Sequence, residues 1–432
     1  MKAGVTEASR STSRILILLT SPWFIVAVAF ALRLENILGH HLYLIPTDND
    51  HALFGFEMGR LARSIAMSRG FSQVFDPASG PTAWWTPVFP LLLGGIFKIF
   101  GIYSAASAFV ILSLNSSFSA LTCYTIFFVA CETLGRTTAT VSAWVWALLP
   151  YAIYWPTHHI WETSLSAFLL TLAIFCALRM AESHSLIHWT GFGLLWGFIA
   201  LTNAAMLSFL PIALLWIWRT HPRSLVAYFR ELGIFAFALT LVVFPWILRN
   251  EKVMGKFIFP RSDFGFELYV GNHGEGYSRE SFRGPFWNLA EREKYDQLGE
   301  IIYMSEKQRL GIAFMEQHPG AFVVSTLERV LFFWITAPDE YWLLRGRNLF
   351  RQGVFLTLSL TGFAGLYLAN KNRVRGILLF GGVLFFYPLV YYVTHVEARY
   401  SHPLAPVMII LIVYAISELY IALTNSPILP EN

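Results

Sequence analysis

The chain has 432 residues, of which 56% are hydrophobic and only 13% are charged, against about 25% charged in an average globular protein. This composition excludes an ordinary soluble domain. The formal net charge is +4 and no basic tract is present, so nothing indicates a nucleic-acid partner. Uncharged runs of about 20 residues can cross a bilayer as helices, and the composition predicts a polytopic membrane protein.

The first apolar run covers residues 15–32 and follows Arg10 and Arg14. A signal peptide is one interpretation, because Ala27-Val28-Ala29 weakly resembles a cleavage site. That tripeptide lies inside the apolar run, and the run is long for a signal. We therefore expect an uncleaved first membrane helix.

Eight further uncharged runs predict the remaining spans. They cover residues 104–131, 137–155, 163–178, 189–218, 233–248, 352–370, 376–394 and 403–417, and the run 189–218 is long enough for two short helices. Two other apolar stretches are ambiguous. Residues 86–101 contain Pro87, Pro90 and Lys98, and residues 321–337 contain Glu328 and Arg329 in their middle.

The distribution of basic residues predicts a topology, since short cytoplasmic loops are enriched in Lys and Arg. With the N-terminus inside and the two ambiguous stretches juxtamembrane, the short cytoplasmic loops hold eight basic residues. They are Arg136, Arg179, Arg219, Arg223, Arg230, Lys371, Arg373 and Arg375. We therefore expect an all-α polytopic membrane protein with 10 crossings and both termini inside, with 11 to 13 crossings as alternatives.

This topology divides the chain into three parts. Residues 1–248 form an N-terminal transmembrane module whose first outer loop, 33–103, contains juxtamembrane helices. Residues 249–350 form an extracytoplasmic region of mixed character, and residues 351–432 form the C-terminal transmembrane helices. We expect helices at about 50–68 and from Arg292 to Gln317. The three cysteines all lie in apolar runs and show neither a disulfide framework nor metal-ligand spacing.

The tripeptide Asp48-Asn49-Asp50 is the strongest candidate for a chemical site. The chain has only 27 acidic residues, and two carboxylates close to a bilayer surface are costly to desolvate without a partner. A solvated loop pair is the alternative interpretation. A functional pair would handle cations, protons or a sugar hydroxyl.

Two other predicted outer turns also carry polar groups. One contains His158, His159 and Glu162, and the other contains His395, Glu397, Arg399, Tyr400 and His402. A carboxylate can act as general base for a hydroxyl or as ligand to a hard divalent cation. A guanidinium suits a phosphate. A base and a phosphate clamp beside an apolar groove would serve transfer from a lipid-phosphate donor.

Simpler interpretations exist for each residue. Glu162 can complement a helix N-terminus, and Arg399 can reach the interface as a snorkelling cation. His158 and His159 can be interfacial polar residues. The spacing of His395 and Glu397 is a weak metal signal. The pair Trp84-Trp85 can stack on a sugar or anchor the chain at the interface.

Five stretches of the chain resemble the GT-C superfamily of membrane glycosyltransferases. The resemblance is to the branch of protein O-mannosyltransferases and lipid A aminoarabinose transferases. The stretches are DNDHALFGFEMGRLARSIAMSRGFS, GPTAWWTPVFPLLLGGIFKIFG, HHIWETSLSAFLL, PWILRNEKVMGKFIFPRSDFGFELYVGNHG and HVEARYSHPLAPVMII. They occur in the order in which the family has them.

The resemblance implies an inverting transferase that uses a polyprenyl-phosphate-linked monosaccharide at the outer membrane face. It implies that Asp50 is the catalytic acid of the first loop, with Asp48 as an auxiliary, and that Glu162 is the acid of the second turn. It implies that Arg399 binds the lipid phosphate, with Arg249 and Arg261 as rivals. Asp48, Asp50 and Glu162 are also the candidate ligands of a divalent metal such as Mg²⁺ or Mn²⁺.

We therefore expect a glycosyltransferase of the plasma (inner) membrane with its active site facing the outside or periplasm. Its partners are the lipid bilayer, a polyprenyl-phosphate sugar donor, and a lipid, glycan or protein acceptor. A lipid-linked sugar flippase or other transporter is the alternative. Transporters place ionisable residues near the bilayer midplane, whereas here the acids are predicted at the outer surface.

Overall fold

The protein is described by a computed structural model that covers residues 17–46, 49–75, 77–220, 224–274, 284–336 and 345–424. For residues 49, 50 and 345–348 it describes the backbone only. Within these ranges the chain is helical, and an isolated bridge between Ser72 and Pro81 is its one extended pairing. The prediction of an all-α protein is confirmed for the part of the chain that the structure describes.

The α-helices follow in chain order. They are α1 (Pro22–Gly39), α2 (Glu57–Ala66), α3 (Val88–Phe100), α4 (Ala105–Thr133), α5 (Arg136–Leu148), α6 (Pro150–His158), α7 (Thr163–Met180), α8 (Leu186–Ala200), α9 (Leu210–Thr220), α10 (Leu225–Met254), α11 (Phe264–Gly271), α12 (Leu289–Leu298), α13 (Glu300–Gln317), α14 (Pro319–Ile335), α15 (Arg345–Lys371), α16 (Ile377–Phe386), α17 (Leu389–Val393) and α18 (Ala405–Thr424). Three 3₁₀-helices, Asn49–Phe54, Ala204–Phe209 and Ala398–Leu404, precede α2, α9 and α18.

Six described helices are long and apolar enough to cross a membrane. They are α1, α4, α7, α10, residues Leu349–Lys371 of α15, and the segment Ala398–Thr424 that ends in α18. Shorter apolar helices lie at Val88–Phe100, Leu186–Ala200, Ala204–Thr220 and Ile377–Val393. The chain is therefore a multi-pass membrane protein. The number of ten crossings stays a prediction, because it depends on how these shorter helices enter the bilayer.

Proline interrupts one predicted span, 137–155, which forms the two helices α5 and α6. Pro150 occupies the first position of α6, where its missing N–H is not needed, and Leu149 before it has an extended backbone. Such a break frees carbonyl groups that hydrocarbon cannot satisfy.

Arg33 satisfies those carbonyls from the neighbouring helix α1. Its guanidinium donates to the carbonyls of Trp146, Ala147 and Ala152 at 3.1–3.2 Å and to the Ser119 hydroxyl at 3.0 Å. The side chain is completely buried. The predicted outer loop was expected to begin at residue 33, but α1 continues to Gly39. The helix continues past this charge because the arginine finds protein acceptors within the helix bundle.

Small residues allow α8 and α10 to approach closely. A Cβ atom on Gly193 would lie 2.4 Å from the Phe235 carbonyl oxygen, and one on Gly197 would lie 2.7 Å from Val242 Cβ. Spacing of two glycines by four residues is a recurrent helix-pairing pattern in membranes, because van der Waals contact replaces the hydrophobic drive that lipid removes.

Two connecting segments pack together into a loop layer, defined here as the described residues of 49–103 and 255–318. Glu300, at the start of α13, is the hub between them. Its carboxylate accepts hydrogen bonds from the Thr82 hydroxyl, the Ala83 N–H at 2.8 Å, and the hydroxyls of Ser262 and Tyr295 at 2.6 Å each. A buried carboxylate with four donors fixes the backbone of the first segment against the second.

We expect Glu300→Ala to destabilise the loop layer by about 3 kcal/mol, because it leaves several buried donors without an acceptor. Glu306→Ala is the matched control on α13. Glu306 forms a solvent-facing ion pair with Lys294 at 2.7 Å, which contributes less than about 1 kcal/mol. Thermal unfolding of the purified variants in detergent measures both changes. Equal losses would contradict the assignment of Glu300 as the hub.

Candidate active site

Arg399 lies in the 3₁₀-helix Ala398–Leu404, directly before α18. Its side chain is 6% exposed, and its closest contact with Glu397 joins Nε to Oε2 at 2.8 Å. The guanidinium carbon lies 4.1 Å from the centre of the Trp161 ring and 5.2 Å from that of Tyr400. Cation–π contacts of this kind are strongest where water is excluded. Arg399 is therefore a held cation and not a freely moving interfacial side chain.

A chain of alternating charges connects Arg399 with the loop layer. Glu397 lies 3.5 Å from Nε2 of His395, whose Nδ1 lies 3.0 Å from Glu267. Glu267 in turn lies 3.4 Å from Nη2 of Arg261, which also pairs with the buried Asp263. We call these residues, from Arg399 to Asp263, the charge network. Because neighbouring members have opposite charges, the cost of burying each charge is offset by attraction to the next one.

His395 is the centre of the charge network. Burial alone would lower its pKa, but attraction to Glu267 and Glu397 outweighs burial, and the pKa is raised above its usual value. The Tyr400 hydroxyl lies 2.9 Å from Nε2. Imidazolium is thus favoured between two carboxylates, and the network carries three cations against three carboxylates.

Glu162 lies at the N-cap position of α7 but makes no capping hydrogen bond with its side chain. Burial raises the pKa of its carboxyl, while Arg399 and Arg261 act in the opposite direction and Glu397 adds to the rise. Its Oε2 atom is buried and has no hydrogen-bond partner among the described residues. A half-buried carboxylate with one uncommitted oxygen, within the field of two arginines, is available to a substrate or an ion.

Trp161 forms the middle of a stack of flat groups. The His159 ring lies nearly parallel to it, with centroids 4.9 Å apart and planes at 14°, and Trp155 lies 5.0 Å from His159. Burial lowers the pKa of His159 to about 4, with further contributions from His158 and Arg399. The imidazole in the stack is therefore neutral at physiological pH.

Of the two first-loop acids, the structure describes the backbone of Asp50. Asp48 lies outside the described residues, and for Asp50 the structure describes the backbone as the second residue of the 3₁₀-helix Asn49–Phe54. The His51 ring in this helix stacks on Tyr103 with centroids 4.1 Å apart. The predicted helix at about 50–68 is present as this 3₁₀-helix followed by α2.

The segment just after Asp50 contacts the turn that carries Glu162. Gly55 has φ +98°, and a Cβ there would lie 2.8 Å from the Ile160 carbonyl oxygen, so only glycine allows this approach. The Phe56 ring lies 5.9 Å from Trp161. The structure thus brings the first-loop backbone, the turn at Glu162 and the turn at Arg399 to one place.

The two tryptophans of the first loop have different surroundings. Trp84 is completely buried and packs edge-on against Phe75 at 4.8 Å, with Phe266 and Tyr295 beside it. It is a core residue of the loop layer. The Arg261 guanidinium carbon lies 4.5 Å from the centre of the Trp85 ring, so Trp85 packs against one member of the charge network.

Arg249 and His158 lie outside the charge network. Arg249 donates to the carbonyls of Thr82 and Phe71 at 2.6 Å each, which fastens the first loop to the end of α10. His158 is exposed, and its ring stacks on Tyr154 with centroids 4.4 Å apart. Of the three arginines considered as phosphate clamps, Arg261 and Arg399 belong to the charge network. Arg249 instead forms hydrogen bonds with backbone carbonyls.

Sequence reasoning missed Glu267, Asp263 and Trp161. Glu267 is the one acid in the apolar stretch Phe264–Gly271, and a lone acid in such a stretch is a signal that could have identified it. Trp161 is adjacent to Glu162. Its contact with the Arg399 guanidinium depends on how the turn at Arg399 folds, which the sequence does not indicate.

The donor set for a metal is incomplete within the described residues. No group of three His, Cys, Asp or Glu side chains there is placed to hold an ion. Glu162 offers one uncommitted carboxylate oxygen, a hard ligand of the type that Mg²⁺ and Mn²⁺ prefer. Asp48 and Asp50 are the other candidates, and their side chains lie outside the described part.

No protein-family model matches the chain, and no curated protein matches it. Solved structures of the Archaeoglobus fulgidus oligosaccharyltransferase have a similar fold. The crystal structure with Zn and sulfate matches with a TM-score of 0.53 and 14% identity over 92% of this chain and 49% of that one. The structure tethered to an acceptor peptide with an NVT sequon gives 0.51 and 15% over 94% and 51%.

The complex of the same enzyme, AglB, with an inhibitory peptide and a dolichol-phosphate gives a TM-score of 0.51 and 14% identity over 95% of this chain and 52% of that one. The chain thus spans about half the length of these enzymes. At this identity the similarity concerns the fold alone, a multi-pass helical fold, and the family resemblance stays a prediction.

We expect acid to destabilise the protein through His159. Its folded pKa of about 4 lies below the usual 6.5, so the unfolded chain binds more protons and stability falls as pH decreases from about 6.5 towards 4. His159→Phe keeps a flat ring without a titrating nitrogen, and its unfolding temperature should fall less over this range. Thermal unfolding in detergent between pH 4 and 7 measures the difference.

His158→Phe is a graded comparison, because burial also lowers the pKa of His158 and His158 contributes to the lowered pKa of His159. Since His158 is exposed, its replacement should change the pH dependence in the same direction and by a smaller amount. Wild type and His159→Phe with the same pH dependence would show that the imidazole in the stack does not oppose protonation.

Proposed function

We propose that this protein is an inverting membrane glycosyltransferase that moves a monosaccharide from a polyprenyl-phosphate donor to a hydroxyl acceptor. The observation that carries the proposal is the juxtaposition of Arg399, held on Trp161, with the uncommitted carboxylate oxygen of Glu162. The fold similarity to an oligosaccharyltransferase supports the same class of chemistry. The reaction is assigned to the outer or periplasmic face of the plasma (inner) membrane.

Asp50 is the proposed general base. Its carboxylate takes the proton of the acceptor hydroxyl as the acceptor oxygen bonds to the anomeric carbon. The bond from that carbon to the phosphate oxygen breaks on the opposite face, and the polyprenyl phosphate leaves with the bonding electrons. Positioned bases of this kind contribute about 10²–10⁴-fold to a rate. Asp48 assists in this proposal by orienting the acceptor or the base.

Arg399 stabilises the charge that develops on the departing phosphate. Since its closest contact with Glu397 is through Nε, its terminal amino groups are the ones assigned to the phosphate oxygens. Trp161 and the charge network prevent the guanidinium from reorganising during the reaction, which is what makes a fixed charge effective in a dry site. Tyr400, stacked on Tyr391 at 4.4 Å, supports the same turn.

Glu162 holds the sugar or an ion in this proposal. A divalent cation bound by Glu162 with Asp48 and Asp50 would supply positive charge next to the reacting phosphate. The isoprenoid chain lies along the apolar helices of the 1–248 module, and residues 249–350 cover the site and select the acceptor.

The deciding experiment supplies purified protein in proteoliposomes with radiolabelled polyprenyl-phosphate sugars and the lipid, glycan and protein fractions of the source membranes. Label that enters one of these fractions covalently supports a transferase and names its acceptor class. Label that crosses the bilayer while still bound to the polyprenyl phosphate would instead support the flippase alternative.

Asp50→Asn should lower the transfer rate by about 100-fold or more, because asparagine cannot accept the hydroxyl proton. Turnover with radiolabelled donor measures the rate, and membrane insertion and thermal unfolding verify folding. The control is Glu293→Gln, which removes an exposed carboxylate from α12 and should leave turnover unchanged. Near-normal turnover of Asp50→Asn would refute its assignment as the base.

Arg399→Lys should lower turnover by about 100-fold, the usual cost of one misplaced donor to a developing anion. Lysine keeps the charge but loses the flat guanidinium that stacks on Trp161 and reaches two phosphate oxygens. The control Arg309→Gln removes an exposed arginine from α13. If Arg399→Lys raised only KM for the donor and kept kcat, the residue would bind the ground state alone.

A further inference from the structure

Arg329 is a completely buried arginine in helix α14. Within the described residues, five uncharged groups accept hydrogen bonds from its guanidinium. They are the carbonyls of Tyr392 at 2.8 Å, Thr394 at 3.1 Å and Gly271, the Asn272 side-chain oxygen at 3.3 Å, and the Thr326 hydroxyl at 3.1 Å. Arginine carries its donors in a rigid fork, so it can bind several acceptors at fixed positions. The residue therefore connects α14 with two other segments of the chain.

The acceptors of Arg329 belong to the two segments that carry the middle of the charge network. Gly271 ends α11, and Glu267 lies about one turn before it on the same helix. Thr394 directly precedes His395, whose Nδ1 lies 3.0 Å from Glu267. A single nitrogen of Arg329, Nη1, donates to the carbonyls of both Gly271 and Thr394. The backbone on each side of the His395–Glu267 pair is thus tied to the same atom.

The two segments also contact each other closely at this point. A Cβ atom on Gly271 would overlap the Thr394 carbonyl oxygen, so a larger residue would push the segments apart. The Asn272 side-chain amide donates to the Val393 carbonyl at 2.8 Å, which adds a second connection beside that of Arg329. The distance between α11 and the turn at His395 is therefore set by hydrogen bonds to the backbone as well as by the charges of the network.

The end of α14 contacts the aromatic residues beside Arg399 as well. The Phe333 ring lies 5.9 Å from the Tyr391 ring, and Tyr391 stacks on Tyr400 at 4.4 Å. The centre of the Tyr400 ring lies 5.2 Å from the Arg399 guanidinium carbon. Helix α14 therefore reaches Arg399 by two routes, one through the charge network and one through these packed rings.

We propose that Arg329 is a positioning residue for Arg399. It holds the end of α11 against the turn at His395, and this fixes the His395–Glu267 pair from which Glu397 and Arg399 take their orientation. Arg329 itself touches no substrate. The assignment rests on the proposed function only in so far as Arg399 is taken to bind the donor phosphate.

Histidine NMR tests the positioning without any turnover. The purified full chain, labelled with nitrogen isotope in its histidines, is titrated in detergent between about pH 5 and 9, and the His395 signal is the one that His395→Gln lacks. The His395 ring faces Glu267, Glu397 and the Tyr400 hydroxyl. Arg329→Lys keeps the positive charge but loses the fork that binds both segments.

We expect the pKa of His395 to fall in Arg329→Lys, because the attraction to Glu267 that raises this pKa weakens when the pair separates. If Arg329 acted by its charge alone, lysine would leave the pKa unchanged. Asn272→Ala is a milder second variant that removes the hydrogen bond to Val393 and keeps the arginine, so the pKa should fall by a smaller amount. An unchanged pKa in whichever of the two variants folds would overturn the proposal.

Glu328→Gln is the matched control. Glu328 is the exposed neighbour of Arg329 on α14, and its replacement changes a charge at the same place while the arginine keeps its acceptors. The titration of His395 should stay that of the wild type. Equal changes in Glu328→Gln and Arg329→Lys would show that any substitution on α14 disturbs His395, and would overturn the role of the junction.

Turnover with the radiolabelled donor distinguishes a failure of the positioning from a failure of the proposed function. Arg329→Lys should lower kcat about tenfold or more and change KM for the donor less, because a small displacement of a fixed group slows the chemical step. A lowered His395 pKa with normal kcat would keep Arg329 as a positioning residue and refute the role of Arg399 at the phosphate. A lowered kcat with an unchanged His395 pKa would show a merely structural effect and overturn the positioning.

Discussion

The alternation of buried charges from Arg399 to Asp263 is the constraint on which the site depends. Any single member of this series would be too costly to bury next to a membrane. Together they satisfy each other, with His395 between two carboxylates and Arg261 between two more. The arrangement also joins sequence positions more than 100 residues apart. The charge network therefore fixes the position of the turn before the last helix relative to the loop layer.

A site whose charges compensate each other must balance the charge of any substrate that binds there. In the proposed function, an incoming phosphate would add negative charge beside Arg399, and a proton on Glu162 or a cation near it would compensate that charge. The raised pKa of the Glu162 carboxyl and the raised pKa of His395 both describe a region where protons are retained. If the donor binds as proposed, we expect its binding to be coupled to protonation through the same few groups.

Much of the architecture could be predicted from the sequence because hydrocarbon imposes simple rules. Long uncharged runs had to be helices, and Glu162, Arg399, Glu397 and His395 were recognised as candidates because polar residues are scarce in this chain. The role of Trp84 could not be deduced, since an aromatic pair near proline suits an interface and a core equally well. Glu267 and Trp161 acquire their roles only through contacts between turns that are distant in sequence.

The first loop shows the same division. Its helix could be predicted, but the approach of Gly55 to Ile160 depends on a backbone conformation that no composition signals. The extension of α1 beyond residue 32 has a related cause. Arg33 ends the first uncharged run of the sequence, and the carbonyls that accept its hydrogen bonds belong to a helix break more than 100 residues later.

The carbonyls that bind Arg33 are synthesised long after α1 itself. Helix α1 is synthesised and inserted well before residues 146–152, so its guanidinium enters the bilayer with none of its later acceptors present. Arginine near the middle of a lone helix costs about 3 kcal/mol on insertion scales, but Arg33 is two turns from the end of α1 and can extend to the interface meanwhile. The carbonyls freed at the Pro150 break then accept hydrogen bonds from the Arg33 guanidinium inside the helix bundle. Completion of the α5–α6 pair is in this sense the step that locks the first helix into its final depth.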